Sequence, residues 1–464
     1  MSEEISPPAV ISASRLTPDA SPRFRALPPL SLYIHIPWCA RKCPYCDFNS
    51  HEARAPVPEE RYVAALVADL EQVLPRVWGR RVSSVFFGGG TPSLFSARAI
   101  EAILDVARAR LPLAPDAEIT PEANPGTVEA GKFRAFAAAG VNRLSLGIQS
   151  FDPRHLKALG RIHDDNEARR AIEIARRDFD NINLDLMYGL PGQDVEEALA
   201  DVEMALSYAP RHLSCYHLTL EPNTYFHRYP PALPDDDATA AMQEGMEARL
   251  AAAGYEHYET SAFAKIREAR GVRRDRKRER GEERGERGKE NSPAEYASLL
   301  SPLSSPAYYC RHNLNYWTFG DYLGIGAGAH GKISFPDRIT REMRVKHPER
   351  YMEAAERGAA VQEEHEVGVD AVGFEFMMNA LRLNGGFPAS LFEERAGLPL
   401  VAVVRELDEA ERRGLIARDH ARISPSPLGR RFLNDLLQIF LRPAACRTEV
   451  TDRLLTARPP ADFE

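Results

Sequence analysis

Six short apolar runs alternate with stretches of helical period through the first half of the chain. The runs cover residues 32–36, 83–87, 117–122, 143–148, 181–187 and 213–220, and the helical patterns between them cover 59–74, 97–111, 128–139, 166–178 and 195–208. Strand, helix and strand in that order build a parallel sheet with helical crossovers. Six such units fall short of the eight that close a complete barrel. In open α/β sheets and in barrels alike, the chemistry sits on loops that leave the carboxyl ends of the strands.

The first of those loops carries Cys39-Ala40-Arg41-Lys42-Cys43-Pro44-Tyr45-Cys46, directly after Leu32-Tyr33-Ile34-His35-Ile36 and Pro37. A disulfide framework is a poor reading, since 464 residues hold only six cysteines and no secretory leader precedes them. Zinc is the stronger rival, with His35 or His51 as a fourth ligand. Against it, His35 falls inside the strand and the spacing is not that of a zinc ribbon. Iron–sulfur clusters are held by thiolates, usually four. A four-iron cluster given three keeps one iron open, as a catalytic centre requires.

Cys39-x3-Cys43-x2-Cys46 resembles the signature of the radical S-adenosylmethionine superfamily, and Tyr33-Ile34-His35-Ile36-Pro37-Trp38-Cys39 narrows the likeness to relatives of oxygen-independent coproporphyrinogen III dehydrogenase. The dehydrogenase branch carries a fourth cysteine two residues after the third; here that position is Phe48, which points to the sister branch of HemW-like haem chaperones. The resemblance runs from about residue 32 to about residue 441 with one interruption. It implies an α/β fold, a partial (βα)6 barrel of the radical S-adenosylmethionine type, with a small, mainly helical, winged-helix-like C-terminal domain. An opening in that barrel admits a substrate larger than a metabolite.

The later strand ends carry weaker signals that gain weight from their order. Gly88-Gly89-Gly90-Thr91-Pro92 leaves the backbone uncovered, as a tight turn or a closely bound ligand would need. One strand downstream of the cysteine loop, the ligand reading is preferred. Prolines flank Glu122 and Asn124 in Thr120-Pro121-Glu122-Ala123-Asn124-Pro125, and fix the backbone there; such a glutamate is often only a helix cap. Asp185 stands in an apolar strand, where an unpaired acid is costly. The resemblance assigns S-adenosylmethionine contacts to Tyr33, Tyr45, Gly90, Thr91, Glu122, Gln149, Arg161 and Asp185, and cluster ligation to Cys39, Cys43 and Cys46. An ammonium acceptor, ribose partners and a guanidinium for a carboxylate are the groups that cofactor requires.

Beyond the sixth strand the pattern loosens. Residues 236–253 read as a helix and 255–261 as a strand. Residues 267–290 then hold eleven basic and seven acidic side chains, and 266–307 as a whole reads as a disordered insertion. Cys310-Arg311-His312-Asn313-Leu314-Asn315-Tyr316-Trp317 follows. An imidazole and aromatic rings suit a haem iron and a porphyrin face, but equally an aromatic connection across the barrel end. The match to the His-Asn-x-x-Tyr-Trp motif of the haem chaperone branch assigns His312, Tyr316 and Trp317 to haem, with Cys310 as a rival ligand. The glycine-rich run 320–331 lacks the lysine and hydroxyl of a phosphate loop; the resemblance has it close over the cofactor, near His330. Residues 369–381, 389–396 and 401–412 read as helices, and 417–424 as a β-wing without a basic recognition face.

The expected organisation is a tail (1–29), the barrel (30–265), the insertion (266–307), a connection carrying the haem motif and glycines (308–346), an accessory helical domain (347–441) and a second tail (442–464). A formal net charge of −8 argues against a general nucleic-acid binder, and the apolar stretches are too short to span a membrane. A cytoplasmic location is expected, with at most peripheral membrane contact. The expected cofactors are a [4Fe–4S] cluster, S-adenosylmethionine and haem. The expected partners are haem-requiring respiratory proteins and an electron donor such as a flavodoxin or ferredoxin. The activity expected is haem carriage and delivery, with oxidative decarboxylation of coproporphyrinogen III, or radical chemistry on another substrate, as the alternatives.

Overall fold

The computed structural model describes residues 21–127, 129–267 and 307–441. Six parallel strands follow one another in space as in sequence: β1 (Leu30–Ile36), β2 (Val82–Gly89), β3 (Leu113–Ala123), β4 (Leu144–Gln149), β5 (Ile182–Tyr188) and β6 (His212–His217). The helices that connect them are α1 (Glu59–Val73), α2 (Ala97–Arg110), α3 (Ala130–Ala138), α4 (Asp165–Asp178) and α5 (Val195–Ser207), and α6 (Asp236–Ala252) follows β6. Local sequence sets their starts. Asp164 and Glu167 form a reciprocal capping box on α4, and Asp194 and Glu197 do the same on α5. Ser96 caps α2 through the amide of Ala99.

The strands alternate between two environments. In β1, Leu32, Ile34 and Ile36 are buried in the main apolar core beneath the helices, while Tyr33 stays half-buried on the opposite, inner face. The same alternation gives the curved sheet a polar lumen.

The sheet does not stop at six strands. Among the described residues it holds twelve, in the order β12-β11-β10-β9-β1-β2-β3-β4-β5-β6-β8-β7, where β7 is Tyr255–Glu259, β8 Ala262–Lys265, β9 Asp321–Ile325, β10 His330–Phe335, β11 Arg338–Arg344 and β12 Val361–Glu366. β9 runs parallel to β1, and the outer strands are antiparallel. The segment 308–346, read from sequence as a connection, therefore contributes three strands to the sheet. Its glycines misled for a physical reason: at Gly324 a side chain would collide with the backbone of His330, so the residue serves close strand packing.

Helix α7 (Arg311–Trp317) precedes β9, and α8 (Pro348–Glu356) packs Tyr351, Met352 and Ala355 into the barrel core. Residues 348–366 thus belong with the barrel and not with the helical domain. That domain comprises α9 (Val369–Ala380), α10 (Ala389–Ala396) and α11 (Val404–Arg412) with a three-stranded wing, Phe387–Pro388, Ile416–Arg418 and Arg422–Pro425. It has its own core, in which Phe376 meets Phe387 and Phe392 edge to face. Phe24 packs against this core and its amide bonds to the carbonyl of Pro336, so the described end of the expected N-terminal tail is held. The rest of that tail, nearly all of the insertion and the residues past 441 lie outside the described residues.

Candidate radical cofactor site

The cysteine loop leaves β1 and is closed by its own backbone. Cys39 pairs with Glu52 in a short parallel bridge, and the Ala53 amide returns to the Cys39 carbonyl at 2.9 Å. Asn49 anchors the far side through Nδ2, which donates to the carbonyls of Ala327 and Lys346, both at 2.9 Å. The turn that receives it is fixed in its turn, because Tyr62 Oη bonds the Ala327 amide and the His35 carbonyl.

The three thiols are unpaired and partly exposed. Burial, reinforced by the other two sulfurs, pushes the Cys39 thiol above its usual range, and burial raises Cys46 likewise. Such mutual destabilisation is what a shared cation relieves. Arg161 Nη1 stands 3.7 Å from Cys43 Sγ, a positive group beside a ligand sulfur. His35, one candidate fourth ligand for zinc, has both ring nitrogens engaged, with Tyr33 Oη at 3.0 Å and the Asn49 carbonyl at 2.9 Å. His51 faces His347 instead. Three soft donors on one loop fit an iron–sulfur cluster with one open iron.

The next strand ends crowd against this loop. Gly90 and Thr91 donate backbone amides to the carbonyls of Ile36 and Trp38 at 2.8 and 2.7 Å. A Cβ on Gly90 would lie 2.5 Å from the Trp38 oxygen, so here too a glycine serves close packing as well as an open backbone. Thr91 lies beside Cys39 and opposes the upward shift of its thiol. Gln149 ends β4 with a φ of 70°, an uncommon conformation for its residue type, where the register with β5 slips. Arg161 returns from beyond it, with Nη2 bonded to the Gly147 carbonyl at 2.8 Å. Tyr45 lies against Cys43 and Arg161, its phenol pushed up by burial.

Glu122 and Asp185 face each other electrically inside the lumen. Burial first, and Asp185 second, push the Glu122 carboxyl up to about 8, against the opposing pull of the Gly89 backbone and of Arg143. Asp185 is also raised by burial while Ser145 Oγ at 3.0 Å and Asn183 Nδ2 at 2.8 Å oppose the shift. Two buried acids that share Arg143 as their cation suit a further cationic ligand group. Tyr33 leans over Glu122, whose charge adds to burial in raising the phenol. Cluster loop, glycine run, Glu122, Gln149, Arg161 and Asp185 therefore converge on one end of the lumen.

His312, Tyr316 and Trp317 do not join them directly. Helix α7 packs on β2 and β1, and His312 is 3 % exposed. Its ring stacks on Phe86 at 4.9 Å and lies 6.3 Å from Tyr33 and 5.1 Å from Tyr316. Nδ1 lies 3.1 Å from Ser84 Oγ, while Nε2 is buried with no partner among the described residues. Burial holds the imidazole neutral, its pKa down to about 3. Trp317 points away, under the guanidinium of Arg382 from the C-terminal domain at 5.3 Å. Cys310 is buried with its thiol pushed up to about 12 and bonded to Glu118 at 3.6 Å, which makes it a poor thiolate ligand.

Several lumen residues escaped the sequence reading. Tyr216 is 41 % exposed and lies within electrostatic reach of Asp185 and Glu122. Arg143 is buried near Glu118 and Asp185, and a charged residue heading the run Leu144-Ser145-Leu146 was its visible signal. Asn49 gave none, because its partners lie almost three hundred residues away.

Residues 33–205 match the Radical SAM superfamily and residues 370–432 match the HemN C-terminal domain. The heme chaperone HemW of Escherichia coli is 46 % identical over 89 % of this chain and 99 % of its own length. That of Bacillus subtilis is 31 % identical, again over 89 % and 99 %. Among solved structures, coproporphyrinogen III oxidase (HemN) from Escherichia coli superposes with a TM-score of 0.70 at 23 % identity, over 89 % of this chain and 90 % of that one, a likeness of fold. Superfamily membership implies a [4Fe–4S] cluster and S-adenosylmethionine, and the identities over nearly the full length of its relatives place this chain in the HemW family of radical S-adenosylmethionine proteins.

Proposed function

We propose that the protein is a haem chaperone, which binds haem and delivers it to haem-requiring respiratory proteins. The observation that carries this is the 46 % identity to a protein named as a heme chaperone, spread over 99 % of that relative's length and therefore over barrel and C-terminal domain together. The site agrees with it. Cys39, Cys43 and Cys46 would hold the cluster. Tyr33, Tyr45, Gly90, Thr91, Glu122, Gln149, Arg161 and Asp185 line the end of the lumen where S-adenosylmethionine would bind, with its ammonium drawn to the carboxylates. When bound, that pair supplies one-electron chemistry at the open iron.

Haem is cargo on this reading. His312 is chemically suited to it: a neutral imidazole with one nitrogen oriented by Ser84 and the other without a partner is the arrangement of a metal-binding histidine. It is also enclosed, so a porphyrin must enter by the lumen or by displacement of α7. An electron donor such as a flavodoxin or ferredoxin would serve the cluster. Among the described residues no helix is long and apolar enough to cross a membrane. Haem titration of the reconstituted protein, then mixing with a haem-free respiratory haemoprotein, tests the reading: a Soret band that forms and passes to the acceptor is the expected result, and no haem uptake by cluster-loaded protein overturns it.

A further inference from the structure

The loop that carries the thiols turns one more side chain outward. Phe48 is 58 % exposed, two residues beyond Cys46. Its surroundings are cationic. Arg41, Lys42 and Arg54 are exposed on the same loop and its exit, and Lys346, also exposed, has its backbone tied to that loop through its carbonyl, which accepts from Asn49. Lys42 Nζ donates to the carbonyls of Phe48 at 3.3 Å and Ser50 at 3.2 Å, which ties its charge to the loop that carries Phe48. Beyond lies the His51–His347 pair, 5.6 Å between ring centres. The exposed carboxylates of the loop are Asp47 and Glu52. Among the described residues none of the four cations reaches a carboxylate; the nearby pairs of Arg61 with Glu349 and Glu356 leave them free. A local positive excess on a chain of formal net charge −8 is a concentrated feature.

We propose that this face is the docking surface for an acidic one-electron donor protein that reduces the cluster. The inference rests on the cluster reading above. Electron transfer falls steeply with distance, and Phe48 lies on the sulfur-bearing loop itself. Redox partners meet over small interfaces, and complementary charge steers their encounter. An aromatic centre within a charged rim is the anatomy such contacts use. With a flavin donor, the anionic hydroquinone would give up one electron and become the neutral semiquinone, while the cluster would pass from the 2+ to the 1+ state; no proton then needs to move.

The test compares parent protein with the double variant Lys346→Glu, Arg54→Glu, neither residue being part of the cofactor site. Anaerobic stopped-flow mixing of the reconstituted cluster with reduced flavodoxin should show a bimolecular rate about tenfold lower in the variant at low salt, and a much weaker dependence on ionic strength. Iron content and the rate with dithionite should match the parent. Equal flavodoxin rates with equal salt dependence would overturn the proposal. So would an unchanged flavodoxin rate in a variant that loses binding to phosphatidylglycerol vesicles, which would make the face a membrane contact. If the parent takes up no iron, the cluster reading fails instead; calorimetry with oxidised flavodoxin, which needs no iron, then still decides the docking.

Discussion

Ser84 Oγ lies 3.1 Å from Nδ1 of His312, and this contact leaves Nε2 as the free nitrogen of a neutral ring. His312→Ala should therefore weaken haem binding and shift the Soret band without changing iron–sulfur content. Ser84→Ala should give a smaller loss of affinity, since it frees the ring to turn but keeps the ligand; outer partners of metal histidines are typically worth about 10- to 100-fold in affinity. An unaltered spectrum in His312→Ala would move the iron ligand elsewhere.

Each of Cys39, Cys43 and Cys46 belongs to a centre with no spare donor. Alanine at any one should sharply lower the iron and sulfide retained after anaerobic reconstitution. Cys215 and Cys310 are buried away from the loop, with thiols pushed up to about 12, and their alanine variants should retain parental amounts. Full occupancy in all three loop variants would remove the cluster assignment.

Much of this site could be read from the chain because it is local. The three thiols fall within one loop, the glycine run within one turn, and Glu122 and Gln149 at the carboxyl ends of β3 and β4. What could not be read is what distant segments contribute. Gly324 looked like a loop glycine because its contact with His330 depends on β9 and β10 being neighbours. Residues 348–366 looked like the start of a helical domain because the period of α8 does not tell which core receives Tyr351. His312 was identified by motif, but its burial follows from the docking of α7 on β2, which no local pattern encodes.

Burial pushes the Glu122 carboxyl up to about 8, against about 4.3 for an unperturbed glutamate. Between these values the folded protein keeps a proton that the unfolded chain has lost. Its contribution to stability is thus fully present below about pH 4 and falls as pH rises to about 8, by at most about 1.4 kcal/mol per unit. Calorimetry of the ligand-free protein should show a shallower decline in Glu122→Gln over that window. Binding of the S-adenosylmethionine ammonium should favour the ionised form, so parental affinity should rise with pH and release a proton, and the variant should do neither. Matching profiles in the two proteins would assign the titration to another group.

The ends of the segment 268–306 meet in an antiparallel bridge between Ile266 and Ala307, and the Tyr308 amide bonds the Lys265 carbonyl at 3.2 Å. A short Asn-Gly link in its place should close a regular hairpin. Stability should change by less than about 1 kcal/mol, or a few degrees in the thermal midpoint. A larger fall would show that the segment packs on the barrel.

The dehydrogenase branch resembled by this sequence has a thiol where this chain has Phe48, and the structure turns that side chain outward, 58 % exposed, instead of toward the lumen. A phenyl ring can neither ligate iron nor carry a proton, so whatever a thiol does there is absent. His312 and Tyr316, whose rings lie 5.1 Å apart, in turn match a motif that the resemblance assigns to haem and that decarboxylation would not require. One such difference could be compensated elsewhere; the two together favour carriage over porphyrinogen chemistry. Reconstituted protein supplied with reductant, S-adenosylmethionine and coproporphyrinogen III should therefore bind haem yet form no protoporphyrinogen IX. Chromatography of the oxidised porphyrins checks this, and product in excess of the enzyme present would establish a decarboxylase.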